Sequence, residues 1–309
     1  MNEELLSGIK VLVALAQADG TIHADERHAI ESALDGVDLP EGTTAAALLE
    51  AVIDLDAELA RITTEAVRTR TYDAACAIVY VDGEFSPEER EMLARVATAF
   101  GVKDADPGRF QGFKSAVPAP TVAKEEDPTK RDALIQGEIQ RAAELAGALA
   151  GTELPIAAES CLVTNNVRLA RNIGLAYGTD ADEAFWRTFV GNVLGAEGSW
   201  FAVTTLLKLL PGFSTTGPIA AYATTVALGG ATRSYFAKGE DLDVEALRGA
   251  FKRAKKDALT AAKDARPAIL ARLERLAKEK APLDAKLAKA ELTETAYADA
   301  LAALGAGDV

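Results

Sequence analysis

Two segments of the chain carry matching acidic residues whose spacing suits a metal ion. Residues 18–30 (ADGTIHADERHAI) align without gaps to residues 81–93 (VDGEFSPEEREML). The shared order of Asp, Gly, an apolar residue and Glu matches part of the EF-hand calcium loop, whose ligands are oxygen atoms. The first ligand positions of such a loop would hold Leu15 in one copy and Ile78 in the other. Neither segment can therefore hold calcium by itself.

The two segments would form a complete site if they lay side by side. Their carboxylates would then surround one hard divalent cation, Ca²⁺ or Mg²⁺, with Zn²⁺ the less favoured ion. The predicted metal ligands are Asp19, Glu26, Asp82, Glu84 and Glu89.

Structural roles explain part of the same pattern. Gly20 and Gly83 suit the ends of helices, and residues 86–89 (SPEE) form a helix capping box. The two aspartates could also accept backbone N–H groups or pair with Arg27 and Arg90. At this point both interpretations, an ion site and helix capping with salt bridges, stay open.

Composition argues against most catalytic and nucleic-acid-binding functions. The 309 residues include two Cys and two His, which leaves little material for a zinc framework or a Ser-His or Cys-His catalytic site. A formal net charge of −14 would repel nucleic acid phosphates. We therefore expect a protein that is not an enzyme and binds no nucleic acid. Cys76 and Cys161 are predicted to be small core residues.

The hydrophobic pattern predicts an all-α protein. Hydrophobic residues make up 49% of the chain but aromatic residues only 6%, so Ala, Leu and Val must pack closely spaced helices. Apolar residues recur at helical spacing, and we find no convincing stretch with the period of two that a strand requires. Pro218, Pro267 and Pro282 are each predicted to lie in the first turn of a helix, so that residues 243–304 form three helices. The helix that starts at Gly217-Pro218 is predicted to run to about Lys238, with Gly239 just past its end.

Charge and the distribution of Pro and Gly divide the chain. Residues 1–105 carry 21 acids and 8 bases, whereas residues 106–309 carry 26 acids and 25 bases. Several Pro and Gly residues near position 110 predict a linker between units with different surfaces. The expected domains are an acidic helical bundle with an internal two-fold repeat (1–105), a linker (106–130), a second helical domain (131–240) and a basic amphipathic helical tail (241–309).

The first domain resembles the TerB family, which is named for bacterial tellurite resistance. The resemblance runs from residue 4 to about residue 102 and is carried by ALAQADGTIHADE (14–26) and AIVYVDGEFSPEE (77–89). It implies a compact helical bundle, no known catalysis and an acidic surface for a divalent metal. The five predicted ligands occupy the corresponding acidic positions. Thr21 stands where the second copy has Glu84, so the first half offers fewer oxygen atoms.

A second informative stretch is apolar. Within residues 188–232 only Glu197 and Lys208 are charged, and two apolar arms (199–210 and 218–231) flank a turn. Both arms are shorter than the roughly 20 apolar residues that a membrane-spanning helix needs. We expect a hairpin buried in a bundle or dimer. Docking on a membrane and insertion into it are the alternatives.

This stretch also carries a second resemblance. LKLLPGF (207–213), GGA (229–231) and YFAKG (235–239) are similar to the YcjF-like domain of unknown function, over about residues 158–239. The resemblance implies association with GTPase modules or with the bacterial inner membrane. The chain has no phosphate-binding G-x-x-x-x-G-K-[ST] motif, so we expect any nucleotide chemistry to belong to a partner.

The tail reverses the sign of the charge. Residues 248–289 carry 13 bases and 5 acids, interleaved with apolar residues at helical spacing. Such a pattern is typical of a solvated charged face over a packed one, and it also suits anionic lipid headgroups or the acidic domain of the same protein.

Together these features predict a non-catalytic interaction or sensor protein, dependent on a divalent metal and related to stress response near the bacterial inner membrane. The alternative is a protein that inserts into or docks on a membrane through residues 188–232. The expected partners are another protein, a second copy of the chain, or an anionic membrane surface. Because the chain starts with acidic rather than basic residues, we expect no secretory signal and a cytoplasmic location, peripheral to the inner membrane.

Overall fold

Helices account for all the regular secondary structure in the part of the chain that the structure describes. A computed structural model of the chain describes residues 3–18, 27, 30, 31, 34, 39, 40, 42–80, 87–102, 120–151, 155–194, 217–239, 243–289 and 291–304. These residues contain twelve helices and no strand, which confirms the all-α fold class. The described residues fall into two units, one within residues 3–102 and the other within residues 120–304.

The first unit contains five of these helices. They are α1 (Glu3–Ala16), α2 (Ala45–Glu50), α3 (Leu55–Arg61), α4 (Glu65–Tyr80) and α5 (Pro87–Phe100). α1 packs against α3 and α4, and α4 packs against α5. Leu5, Ile9 and Leu12 of α1 are buried, as their helical spacing requires. Thr44 and Asp54 begin α2 and α3 by accepting a backbone N–H of the first turn.

The second unit is built around a central apolar helix. Its helices are α6 (Pro128–Ala150), α7 (Pro155–Tyr177), α8 (Glu183–Leu194), α9 (Gly217–Ala237), α10 (Val244–Asp264), α11 (Arg266–Ala288) and α12 (Glu294–Leu304). α9 packs against α6, α7 and α10. The approach is close, because a Cβ at Gly229 of α9 would collide with Ile139 of α6. Trp186 is fully buried in the same core, where its ring lies against Gly174.

The predicted helix boundaries of the second unit are confirmed with one exception. Pro218 and Pro267 lie in first turns, and Gly239 follows α9 with a positive φ of 76°. The prediction for Pro282 is wrong, because this residue lies inside α11. Lys280 and Asp284, on either side of the proline, form an ion pair one turn apart.

The apolar stretch is described only in part. Its first arm, residues 199–210, lies outside the described residues. Its second arm belongs to α9, where Ala223 and Ala227 are fully buried within the second unit. Among the described helices, none combines the length and the apolar character needed to cross a membrane.

Candidate functional site

The predicted metal ligands lie mostly outside the described residues. Asp19, Glu26, Asp82 and Glu84 are not described, and for Glu89 only the backbone, within α5, is described. The internal repeat and the capping box fall in the same segments, and both stay predictions. Among the described His, Cys, Asp and Glu side chains, no group of three is placed to hold a metal ion.

The helices that precede the two Asp-Gly pairs begin at the same point of the first unit. Glu4, in the first turn of α1, accepts hydrogen bonds from the backbone N–H groups of Thr63 (2.9 Å) and Thr64 (3.1 Å), directly before α4. It also accepts the hydroxyl of Thr63. These hydrogen bonds lower the pKa of Glu4 to about 2. Glu4 therefore ties the start of α1 to the start of α4.

Because α1 and α4 also pack against each other, they run in the same general direction. Ala16 and Tyr80, the last residues of the two helices, consequently lie toward the same end of the pair. In the sequence, Asp19 and Asp82 follow these helix ends by only a few residues. The described helices thus run toward the same end of the pair before the acidic segments start in the sequence.

A buried carboxylate fixes α1 against α3. Glu58 accepts hydrogen bonds from the hydroxyl of Ser7 (2.7 Å), the ammonium of Lys10 (2.8 Å) and the guanidinium of Arg61 (2.9 Å). Burial by itself would raise the pKa of Glu58, but the hydrogen bonds from Lys10 and Ser7 outweigh burial, and the net effect lowers it. This cluster stabilises the orientation of α1.

The segment around the first Asp-Gly pair is also attached to α2. Gln17, one residue past α1, donates a hydrogen bond from Nε2 to the backbone carbonyl of Leu49 (3.0 Å). Arg27 forms an ion pair with Glu50 at 3.6 Å. Arg27 was one of the two arginines expected to pair with the aspartates. In the structure its guanidinium group pairs with Glu50, the last residue of α2.

A second acid of the first unit is buried with little compensation. Asp73 of α4 is 4% exposed, and its Oδ2 atom has no hydrogen-bond partner among the described residues. Burial raises the pKa of Asp73 to about 7, against a small opposing effect from Arg70. Asp73 was not among the residues predicted from the sequence. Its position directly before the apolar residues Ala74-Ala75-Cys76 is a pattern that indicates a buried acid. At neutral pH its carboxyl group is therefore partly protonated.

The two cysteines are buried core residues, as predicted. Burial raises the pKa of the Cys161 thiol to about 12, so this thiol stays protonated at neutral pH and is a poor nucleophile.

Asp284 of α11 accepts hydrogen bonds from the buried Lys280 and from the hydroxyl of Tyr297 (2.7 Å), which lies on α12. These contacts attach the last helix to the second unit.

One surface hollow of about 630 Å³ lies where α9 ends and α10 begins. Its charged lining consists of Lys238 and Arg253 together with Asp243 and Glu245. Asp243 is also the residue that caps α10. Because the charges of the lining balance, the hollow favours neither an anion nor a cation.

The comparisons with known proteins address the first unit. Residues 9–111 match the model of the family described as tellurite resistance protein TerB. This match confirms the TerB-like N-terminal domain, a third of the chain, and it extends into the predicted linker. No finding supports the YcjF resemblance of the second unit, which stays a prediction. The comparisons with curated proteins and with solved structures gave no match.

Proposed function

We propose that the TerB-like domain is a non-catalytic sensor or interaction module that binds one divalent cation between its two acidic segments. One observation supports this proposal above the others: the hydrogen bonds of Glu4 make α1 and α4 run in the same direction. The helix ends that precede the two Asp-Gly pairs in the sequence then lie toward the same end of the helix pair. Their carboxylates could meet around one ion, as Ca²⁺ and Mg²⁺ require.

The match to the TerB family supports a role of the same kind as tellurite resistance, in a stress response. In this proposal the cation joins the two acidic segments, and the surface that they form then binds a protein partner or a second copy of the chain. The net charge of residues 1–105 favours cations, because 21 acids face only 8 bases.

Calorimetric titration of the full chain with Ca²⁺, Mg²⁺, Mn²⁺ and Zn²⁺ tests the cation site. We expect saturable binding of Ca²⁺ or Mg²⁺ to the wild type, and its loss when Asp19→Asn and Asp82→Asn are combined. The control combines Glu65→Gln and Glu91→Gln, which removes the same charge from exposed positions of the same domain. Absence of binding in the wild type, or an equal loss in the control, would contradict the proposal.

For the second unit we propose contact with an anionic surface at the inner membrane. Support comes from exposed lysines on α10 and α11, among them Lys256, Lys263 and Lys286. Clustered cations near an anionic membrane each contribute roughly 1 kcal/mol. Fractionation of cells with salt and carbonate washes tests this proposal. Release by salt is the expected result, whereas a chain that never enters the membrane fraction would contradict it.

A further inference from the structure

The second unit buries most of an arginine for which the described residues supply no counterion. Arg168 of α7 is 5% exposed. Its guanidinium group makes no hydrogen bond or ion pair with any residue in the described part of the chain. An isolated buried charge costs several kcal/mol, so buried arginines are normally paired with an acid. Among the described residues, no acid pairs with Arg168.

Two hydrogen bonds on either side of Arg168 define its position against α6. Asn165 donates from Nδ2 to the backbone carbonyl of Ala142 (2.8 Å), and Asn172 donates from Nδ2 to Oε2 of Glu138 (2.8 Å). α6 and α7 are therefore antiparallel here. Arg168 lies between the two asparagines on the same face of α7, at the level of Arg141.

Arg141 brings a second positive charge to this position. One guanidinium nitrogen of Arg141 pairs with the buried Glu138, which also accepts from Asn172. Glu138 pairs with Arg141, and no described acid pairs with Arg168, so these three residues together carry one excess positive charge. The side chain of Arg141 is 26% exposed, so the cluster can be reached from the solvent.

Deprotonation does not relieve this charge. Burial, with a further contribution from the neighbouring Arg141, lowers the pKa of Arg168 to about 10. This value is still well above neutral pH, so the guanidinium group keeps its proton.

We propose that Arg141 and Arg168 bind an oxyanion of the phosphate class in the second unit. Two guanidinium groups offer two sets of N–H donors, and a tetrahedral dianion has enough oxygen atoms to accept from both. A carboxylate has two oxygen atoms and one negative charge, so it offers this pair fewer acceptors and less charge than a phosphate dianion. The anion supplies the negative charge that the described residues lack.

Thermal unfolding of the full chain in inorganic phosphate, at constant ionic strength, tests the site. We expect the Tm of the wild type to rise saturably, by about 3–5 °C at roughly ten times the dissociation constant. Arg168→Met, which keeps most of the side-chain volume without the charge, should show no phosphate-dependent rise. Its Tm without phosphate should equal or exceed that of the wild type, because an uncompensated charge has been removed.

Two further variants make this experiment decisive. Arg141→Gln should raise the dissociation constant for phosphate, measured by calorimetry, at least about tenfold. A tenfold change is what the loss of one modest charged hydrogen bond produces. Arg266→Gln, an exposed arginine of α11, should keep the wild-type response. The proposal is wrong if the wild type shows no response to phosphate, or if Arg168→Met or Arg141→Gln responds like the wild type. It is equally wrong if Arg266→Gln loses the response.

The same chemistry occurs in free phosphate and in lipid headgroups. Sedimentation with phosphatidylcholine vesicles, with and without phosphatidic acid, distinguishes these sources. Binding to phosphatidic acid that Arg141→Gln and Arg168→Met abolish indicates a headgroup site, and a response to inorganic phosphate alone indicates a free anion. Both results support the site, whereas vesicle binding that persists in these variants, without a response to inorganic phosphate, would overturn it.

Discussion

The two units bury uncompensated charges of opposite sign, and the consequences differ. In the first unit the carboxyl group of Asp73 lies in the core without a hydrogen-bond donor for Oδ2. It can become neutral by taking up a proton, because its pKa is about 7. In the second unit Arg168 keeps its charge at any physiological pH. Protonation therefore removes the buried negative charge of Asp73 in the first unit, whereas in our proposal a bound anion compensates the positive charge of Arg168 in the second.

Each unit also contains a buried carboxylate that is well compensated. Glu58 in the first unit has three side-chain donors, and Glu138 in the second pairs with Arg141 and accepts from Asn172. The contrast shows that the cost of a buried charge depends on its donors rather than on burial alone. Substitutions at compensated and uncompensated positions should therefore change stability in opposite directions.

The largest effect is expected for Glu138→Leu. This change leaves Arg141 and Asn172 without their shared acceptor and adds a second uncompensated cation beside Arg168. We expect the free energy of unfolding to fall by about 3–5 kcal/mol, the range for breaking a buried ion pair. Urea unfolding followed by tryptophan fluorescence measures it, because Trp186 lies in the core of the same unit.

Glu274→Leu is the matched control for this substitution. Glu274 pairs with Lys278 on the surface of α11, and both side chains are exposed. Its loss should change the free energy of unfolding by less than about 1 kcal/mol. Similar losses in the two variants would show that burial of the Glu138 cluster contributes nothing to the stability of the unit.

The second prediction concerns Asp73→Asn, which should stabilise the first unit at alkaline pH. The folded-state pKa of about 7 is above the ordinary value of 3.8. The folded state therefore binds more protons than the unfolded state between these values, and the stability of the wild type falls as the pH rises through this window. Asn cannot ionise, so the variant lacks this loss.

The gain at pH 8 has an upper limit of about 4 kcal/mol, because each pKa unit corresponds to about 1.4 kcal/mol. Urea unfolding at several pH values between about 4 and 8 measures it. Glu91→Gln removes an exposed acid of the same unit and should keep the pH profile of the wild type. Parallel profiles for Asp73→Asn and the wild type would show that Asp73 does not cause the pH dependence.

The sequence predicted those features that depend on local chemistry. Gly217-Pro218 and Gly239 gave the bounds of α9, because a proline suits a first helical turn and a glycine suits the positive φ after a helix. The same local rule failed at Pro282, which lies inside α11, two residues before the Asp284 that accepts a hydrogen bond from Tyr297 of α12.

The charged positions required knowledge of the packing. Nothing in the local sequence of Arg168 indicates that Asn165 and Asn172, on either side, contact α6 and leave the arginine between them. Asp73 has a local signal in its apolar neighbours, but its missing donor depends on the helices packed around α4. The five predicted metal ligands depend on a repeat that is visible in the sequence, and their convergence stays a prediction.

The smallest effect is expected for Glu58→Gln, and its sign is opposite to that of Asp73→Asn. The amide keeps the shape but loses charged hydrogen bonds to Lys10 and Arg61, which should cost about 1.5–3 kcal/mol at pH 7. The pKa of Glu58 is lowered in the folded state, so its contribution is present above its ordinary value of 4.5 and is lost as the pH falls. Urea unfolding at pH 7 and pH 3 should therefore show a difference between variant and wild type that shrinks in acid. A difference that stays constant would mean that packing of the side chain, rather than its charge, joins α3 to α1.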